Sequence, residues 1–110
     1  MSRIPNWAYD ELILALDLYL SEGQLDVSHP KVIDLSHLLK TLPIHTNRPN
    51  DERFRNPNAV ALKLANFRSL DKRDSAKGYK NRGKSDKLVW NEFFENRSSL
   101  KEIANAIRAS

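Results

Sequence analysis

The 110-residue chain contains no cysteine, and this absence removes several kinds of chemistry at once. Without thiols there is no disulfide framework, no thiolate zinc site and no cysteine nucleophile, which favours an intracellular protein. Long apolar runs are also missing, because the longest, Leu12 to Leu20, is interrupted by Asp17 and Tyr19 and falls far short of the roughly 20 residues of a membrane span. The N-terminus carries no signal-peptide core. We therefore expect a cytoplasmic protein that is neither secreted nor inserted into a membrane.

Length and composition favour one small domain. The chain is 40% hydrophobic and 29% charged, which is close to the balance of ordinary globular proteins. A second core would need roughly 50 residues of its own, so we assign residues 1–110 to a single domain.

Positive charge is concentrated in the middle of the sequence. The formal net charge is +4, yet residues 1–50 carry −2, residues 51–90 carry +6 and residues 91–110 carry 0. A positive excess confined to one stretch is typical of a surface that binds a polyanion. The competing interpretation is a charged surface that only faces solvent.

Apolar residues recur at three- and four-residue spacing, which predicts a compact all-α bundle of about five helices with no convincing strand. Start and stop residues place the helices at about 8–21, 30–42, 57–70, 86–95 and 99–109, with Asn56 capping the third and a capping box of Ser99 and Glu102 opening the fifth. Residues 71–86 form a long basic loop with two glycines, in which a short β-hairpin is the alternative. The fourth helix is expected to direct five apolar side chains towards the core: Leu88, Val89, Trp90, Phe93 and Phe94.

Familiar catalytic and metal-binding patterns are missing. The three histidines, His29, His37 and His45, include no pair at metal-ligand spacing. Asp10 and Glu11 are adjacent, so a helix would direct them to different sides. No GxxxxGK(S/T), GxGxxG or HExxH motif occurs. We expect no catalytic set, no metal and no cofactor in this chain, which favours a binding domain over a free-standing small enzyme.

The basic stretch offers the side chains that bind duplex DNA. Lysine and arginine neutralise phosphates, while asparagine and arginine pair with the edges of adenine and guanine. Arg55, Asn56 and Asn58 cluster at the start of the third helix, where free backbone amides also attract phosphate. The alternative is that Asn56 only caps this helix and Arg55 only pairs with Asp51 or Glu52.

We therefore predict a double-stranded DNA interface. We include Asn56 in this interface because it lies at the start of the third helix. Tyr79 is available to stack on a base or, with Phe54, Trp7 or Trp90, to line a pocket for a methyl group. For the glycine-containing loop the alternative is a flexible solvated segment, and for both tryptophans it is core packing. The cations expected to hold phosphates are Lys63, Lys72, Arg73, Lys77, Lys80 and Lys84. The side chains expected to contact bases are Arg55, Asn58, Asn66, Arg68 and Arg82.

Three segments are similar to a known family. Residues 54–71 are the longest of them, FRNPNAVALKLANFRSLD, and residues 7–19 and 88–93 flank it. Together they resemble the N-terminal region of bacterial HNH-family restriction endonucleases, usually described as McrA-like or 5-methylcytosine-specific. The resemblance extends from about Trp7 to Arg108.

In such enzymes the nuclease lies in a separate C-terminal HNH domain with metal-binding histidines, and nothing in this chain matches that domain. The resemblance therefore implies a bacterial DNA-recognition module for modified cytosine, whose partners are double-stranded DNA and a nuclease domain in the full protein. It leaves the modification and the oligomeric state open. The alternative is a protein-interaction or dimerisation module that uses exposed Ile103 and Ile107 and keeps the basic loop as a tether.

Overall fold

The computed structural model describes residues 4–45, 50–73 and 83–110. Five helices occupy most of these ranges, which contain no strand. This confirms the predicted all-α domain of about five helices, whereas the alternative of a β-hairpin falls on residues 74–82, outside the described ones. The helices are α1 (Tyr9–Glu22), α2 (Pro30–Thr41), α3 (Pro57–Leu70), α4 (Lys84–Phe93) and α5 (Arg97–Ala109).

Helix α1 is the centre of the core. Every residue from Glu11 to Asp17 is buried, because the apolar run leaves no polar stripe wide enough to face solvent. The other four helices pack around α1. Burial of this helix brings two carboxylates into the interior, and each is paired: Glu11 with Arg55, and Asp17 with Lys101 and Arg108.

The starts of α2 and α3 are those expected from the sequence. The His29 ring accepts a hydrogen bond from the Lys31 amide at 3.1 Å, and the Asn56 side chain accepts one from the Ala59 amide at 2.8 Å. A proline follows each cap as the first helical residue. Both helices thus begin with a satisfied amide and a preset backbone.

Helix α5 begins two residues earlier than predicted, and so does α4. The first helical hydrogen bond of α5 runs from the Leu100 amide to the Asn96 carbonyl. The predicted capping box of Ser99 and Glu102 is therefore wrong. The chain turns within residues 94–96, so Ser99 already lies inside the first turn of the helix.

The outward face of α4 also differs from the prediction. Val89, Trp90 and Phe93 are buried, whereas Leu88 is 69% exposed to solvent. At 100° per residue the buried side chains lie on one side of α4 and Leu88 lies on the opposite side. The position of this leucine on the helix, and not its apolar character, decides its exposure.

Helix α5 turns its apolar stripe inwards. Leu100, Ala104 and Ile107 are buried, and Ile103 is half-buried against the core. The expectation that Ile103 and Ile107 form an exposed contact surface is therefore wrong. Residues at three- and four-residue spacing share one side of a helix, and this side of α5 packs on α1.

A buried ion pair joins α1 to the turn before α3. Arg55 is 1% exposed and Glu11 is fully buried. The Arg55 Nε donates to Glu11 Oε2 at 2.7 Å and its Nη2 donates to Oε1 at 2.9 Å, so the pair is bidentate. This corrects the alternative in which Arg55 pairs with Asp51 or Glu52, since Asp51 pairs with Arg53.

Further contacts attach two more segments to this pair. The Arg55 Nη2 also donates to the carbonyls of Pro5 and Asn6, both at 3.1 Å. The His45 Nε2 lies 2.8 Å from Glu11 Oε1. The ion pair therefore holds the N-terminal segment, His45 and the turn before α3 against α1.

The same network keeps Glu11 ionised and fixes the backbone at Arg55. Burial alone raises the pKa of Glu11, but hydrogen bonds from Arg55, the Ala8 amide and His45 outweigh it and hold the pKa below its ordinary value. The Ser36 hydroxyl donates to the Arg55 carbonyl at 2.7 Å, where the backbone adopts an unusual positive φ of 48°. Side-chain and main-chain contacts together set this turn.

Replacing Arg55 with alanine should be severely destabilising. The change leaves Glu11 buried without its main partner, so we expect the free energy of unfolding to fall by about 3 to 5 kcal/mol. Arg53→Ala is the matched control, because the Arg53 side chain is 75% exposed and its loss should cost less than about 1 kcal/mol. Urea denaturation at neutral pH measures both, and equal losses for the two variants would contradict this role of Arg55.

Candidate nucleic-acid interface

A cleft of about 700 Å³ lies between the segment before α1, the middle of α3 and the start of α4. Lys63 and Asn66 share one wall because they are three residues apart on α3. Packing of α4 against α3 adds Lys84 from a distant part of the sequence. The fold thus gathers four predicted DNA contacts around one cleft: Arg55, Lys63, Asn66 and Lys84.

Lys63 forms part of the cleft wall and is already paired. Its Nζ lies 3.0 Å from Asp86 Oδ1. Only 13% of the Lys63 side chain and 5% of the Asp86 side chain are exposed. Because Asp86 balances its charge inside the protein, Lys63 shapes this wall more than it adds positive potential.

Trp7 lies between the buried network and the cleft. The Arg55 guanidinium is 4.9 Å from the centre of the Trp7 ring, and the Lys63 Nζ is 5.3 Å from it. Such contacts between a cation and an aromatic ring are attractive and restrict the indole. Trp7 is half-buried against the core and also lines the cleft, so its ring belongs to both.

Three exposed lysines supply positive charge on and next to α4: Lys72, Lys84 and Lys87. Within the described ranges none of the three forms an ion pair. Lys84 is the first residue of α4, so its ammonium group adds to the positive end of the helix dipole. These lysines leave uncompensated positive charge on this part of the described surface.

A second hollow, of about 490 Å³, lies between the end of α3 and α4. Trp90 and Phe94 stack there with 4.9 Å between their ring centres, and the Arg73 guanidinium lies 5.1 Å from the Phe94 ring centre. Lys72 and Lys87 complete the basic part of the lining. Two of the predicted phosphate contacts, Lys72 and Arg73, thus meet beside an aromatic floor and not in the first cleft.

Asp71 holds Arg73 in this position. The Nε and Nη2 of Arg73 donate to the Asp71 carboxylate at 2.9 and 2.7 Å, and the Tyr19 hydroxyl donates to it at 2.8 Å. The Arg73 guanidinium is the main cause that lowers the pKa of Asp71 to about 2, and the Tyr19 hydroxyl acts in the same direction against the effect of burial. The charge of Arg73 is thereby balanced, as that of Lys63 is by Asp86.

Two of the predicted contacts serve the fold. The hydrogen-bond donors of Arg55 are directed to Glu11 and to main-chain carbonyls in the interior. The Asn56 side chain caps α3. A DNA base would have to displace these partners to reach either side chain. We therefore assign Arg55 and Asn56 to the scaffold and not to the surface that meets a ligand.

The other predicted contacts are dispersed. Asn66 is buried but borders the cleft, and Asn58 is exposed in the first turn of α3. Arg68 donates to Gln24 at 2.7 Å, and helical geometry places it on a different side of α3 from Asn66. Outside the described residues lie Lys77, Tyr79, Lys80 and Arg82.

The sequence prediction omits two cations of this surface. Arg53 lines the cleft, and Lys87 lines the second hollow. Lys87 shares a helical face with Lys84, three residues before it, but a helix assumed to start at residue 86 conceals this relation. Arg53 carries no comparable sequence signal, since its position depends on the turn that buries Arg55.

Three comparisons with known proteins give no match: no family model, no curated protein and no solved structure is similar to this chain. Across the described residues, no helix combines the length and the apolar character of a membrane span. In the same ranges, no three histidine, aspartate or glutamate side chains come together as a possible metal site. The cleft and its surrounding cations are therefore the features from which a function is proposed.

The Asp71 and Arg73 pair should make stability depend on pH in the acidic range. The pKa of Asp71 is about 2 in the folded protein and about 4 in an unfolded chain. The pair therefore stabilises the fold above about pH 4, and this contribution is lost as the pH falls towards 2. We expect the free energy of unfolding of the wild type to exceed that of Asp71→Asn by about 1 to 2 kcal/mol near neutral pH, and by far less at about pH 2.

Urea denaturation at the two pH values measures this difference. Arg73→Ala should reproduce most of the loss of stability that Asp71→Asn causes. The variant with both substitutions should be little less stable than either one, because both changes remove the same interaction. A difference that stays constant down to about pH 2 would exclude the proposed coupling.

Proposed function

We propose that this chain is a double-stranded DNA-recognition module of a modification-dependent HNH restriction endonuclease, with modified cytosine as its target. The nuclease and its metal belong to another domain of the full bacterial, cytoplasmic protein, and this chain itself is not an enzyme. The observation that carries the proposal is the meeting of Lys63, Asn66 and Lys84 at one cleft, next to exposed lysines. The resemblance of residues 54–71 to the N-terminal region of such enzymes supports the same conclusion.

The distribution of charge favours a polyanion as ligand. Two acidic residues at this surface, Asp71 and Asp86, are buried and paired with Arg73 and Lys63. They compensate those two cations and leave the exposed lysines uncompensated within the described residues. Lysines of this kind release counterions when they meet phosphates, which is the main source of affinity in non-specific DNA binding.

A protein-interaction module is the alternative function, and the structure weakens its main support. That alternative requires an apolar contact surface on α5 formed by Ile103 and Ile107. Ile107 is buried and Ile103 packs partly on the core, so these side chains stabilise the domain itself. DNA recognition is therefore the function that we favour.

Binding to DNA should depend steeply on salt. If about five phosphates are neutralised, the logarithm of the association constant should fall against the logarithm of salt concentration with a slope near −4 to −5. Replacing both Lys84 and Lys87 with alanine should reduce this slope by about 2. The measurement is fluorescence anisotropy of labelled duplexes, methylated and unmethylated, at several salt concentrations.

Lys31→Ala with Lys40→Ala is the control for this experiment. It removes the same charge from α2, where neither lysine borders the cleft or the second hollow, so the slope should stay close to that of the wild type. No binding to any duplex at low salt would overturn the proposal. Equal affinity for methylated and plain DNA would remove the modified-cytosine target and leave DNA binding in place.

A further inference from the structure

Helix α4 forms a surface ridge that is bordered by three hollows. The 700 Å³ cleft lies at its first turn, and the 490 Å³ hollow lies along one side. Along the other side lies a third hollow of about 600 Å³, which Trp7, Tyr9 and Leu88 help to line. Asn91 borders the hollows on both sides. A ridge bounded in this way has the shape that fits into a groove.

Four side chains form the crest of this ridge. Counted at 100° per residue, Lys84, Leu88, Asn91 and Glu92 fall within about 100° of one another, away from the buried face of the helix. All four crest residues are exposed, and Glu92 accepts a hydrogen bond from the Tyr9 hydroxyl at 2.9 Å. Leu88 lies in the middle of the crest and is the most exposed large hydrophobic residue of the described chain.

The fold gives no reason for a leucine at this position. An amphipathic helix normally presents polar residues at the centre of its outer face, and Lys84, Lys87 and Asn91 around Leu88 follow that rule. Burial of Leu88 within the domain contributes little, because most of its side chain stays in water. Its side chain is therefore free to contact another molecule.

The surroundings of Leu88 favour DNA as that molecule. The exposed charged residues of the first two turns are Lys84 and Lys87, and Asp86 is buried and paired with Lys63. The exposed carboxylate of this helix, Glu92, lies in its last turn and accepts a hydrogen bond from the Tyr9 hydroxyl. The ten-residue helix is about 15 Å long, and the major groove of duplex DNA, about 12 Å wide, admits an α-helix. Lysines suit phosphates, asparagine suits the edge of adenine, and an apolar side chain suits a C5-methyl group in that groove.

We propose that α4 enters the major groove and that Leu88 contacts the C5-methyl group of a pyrimidine base. This inference rests on the proposed function and adds to it the helix that recognises the base and a residue that sets specificity. A C5-methyl group occurs on thymine and on 5-methylcytosine, so the chemistry is shared by two sources. Base contact thereby moves from Arg55, which is buried, to the crest of α4.

The test compares the wild type, Leu88→Ala and Leu62→Ala on duplexes of one sequence. The duplexes form two pairs. The members of the cytosine pair differ only in carrying cytosine or 5-methylcytosine, and those of the thymine pair differ only in carrying uracil or thymine. Leu62 is the matched control, because it is an exposed leucine, 55% accessible, on α3 and outside the three hollows around α4. Alanine is the best helix former, so Leu88→Ala should stay folded, as circular dichroism can verify.

We expect the wild type to prefer the methylated member of one duplex pair. Leu88→Ala should lower affinity for that member by about fivefold, the effect of losing an apolar contact of roughly one to two carbon atoms, and leave affinity for the unmethylated member unchanged. Leu62→Ala should keep the wild-type preference. A preference in the cytosine pair identifies methylated cytosine as the source, and one in the thymine pair identifies thymine.

Several outcomes would overturn the inference, and they separate it from the proposed function. A wild type that binds no duplex refutes both. If the wild type binds DNA without a methyl preference, only the role of Leu88 is refuted. The same holds if Leu88→Ala keeps the preference or lowers the affinity for all duplexes equally. Loss of self-association in Leu88→Ala during sedimentation, with DNA binding intact, would show a protein surface instead.

Discussion

The ion pair between Glu11 and Arg55 is the interaction on which the described structure most depends. A buried carboxylate at the start of an apolar helix is costly unless a cation and further hydrogen-bond donors meet it. Arg55 meets this need and, with the same guanidinium group, holds the main chain of the N-terminal segment. That segment carries Trp7, whose ring rests against Arg55 and forms a wall of the cleft. The shape of the surface therefore follows from a requirement of the interior.

Features of the fold that depend on neighbouring residues could be predicted from the sequence. The cap at Asn56 and the prolines that begin α2 and α3 are local signals, and the structure contains them as expected. Such local signals gave a wrong prediction where a helix begins earlier than expected, as with the capping box assigned to Ser99. They also failed for the exposure of Leu88, because the direction of an apolar side chain depends on what the whole helix packs against.

The candidate site was predictable as a region but not as a set of contacts. Charge along the chain identifies residues 51–90, yet it cannot tell an exposed lysine from one that is paired in the interior. Arg55 finds its partner 44 positions away, and Lys63 finds Asp86 23 positions away. Only tertiary structure brings such residues together, so their true roles lie beyond any local reading of the sequence.

The Lys63 and Asp86 ion pair has a consequence for how strongly this wall of the cleft attracts an anion. An incoming anion meets a lysine that already has a carboxylate partner, so from Lys63 it gains only the difference between two ion pairs. Under the proposed function, a polyanion held at the same time by several exposed lysines would offset this loss at its other contacts. The pair would therefore weaken the attraction of this wall for a single ion more than for a long polyanion.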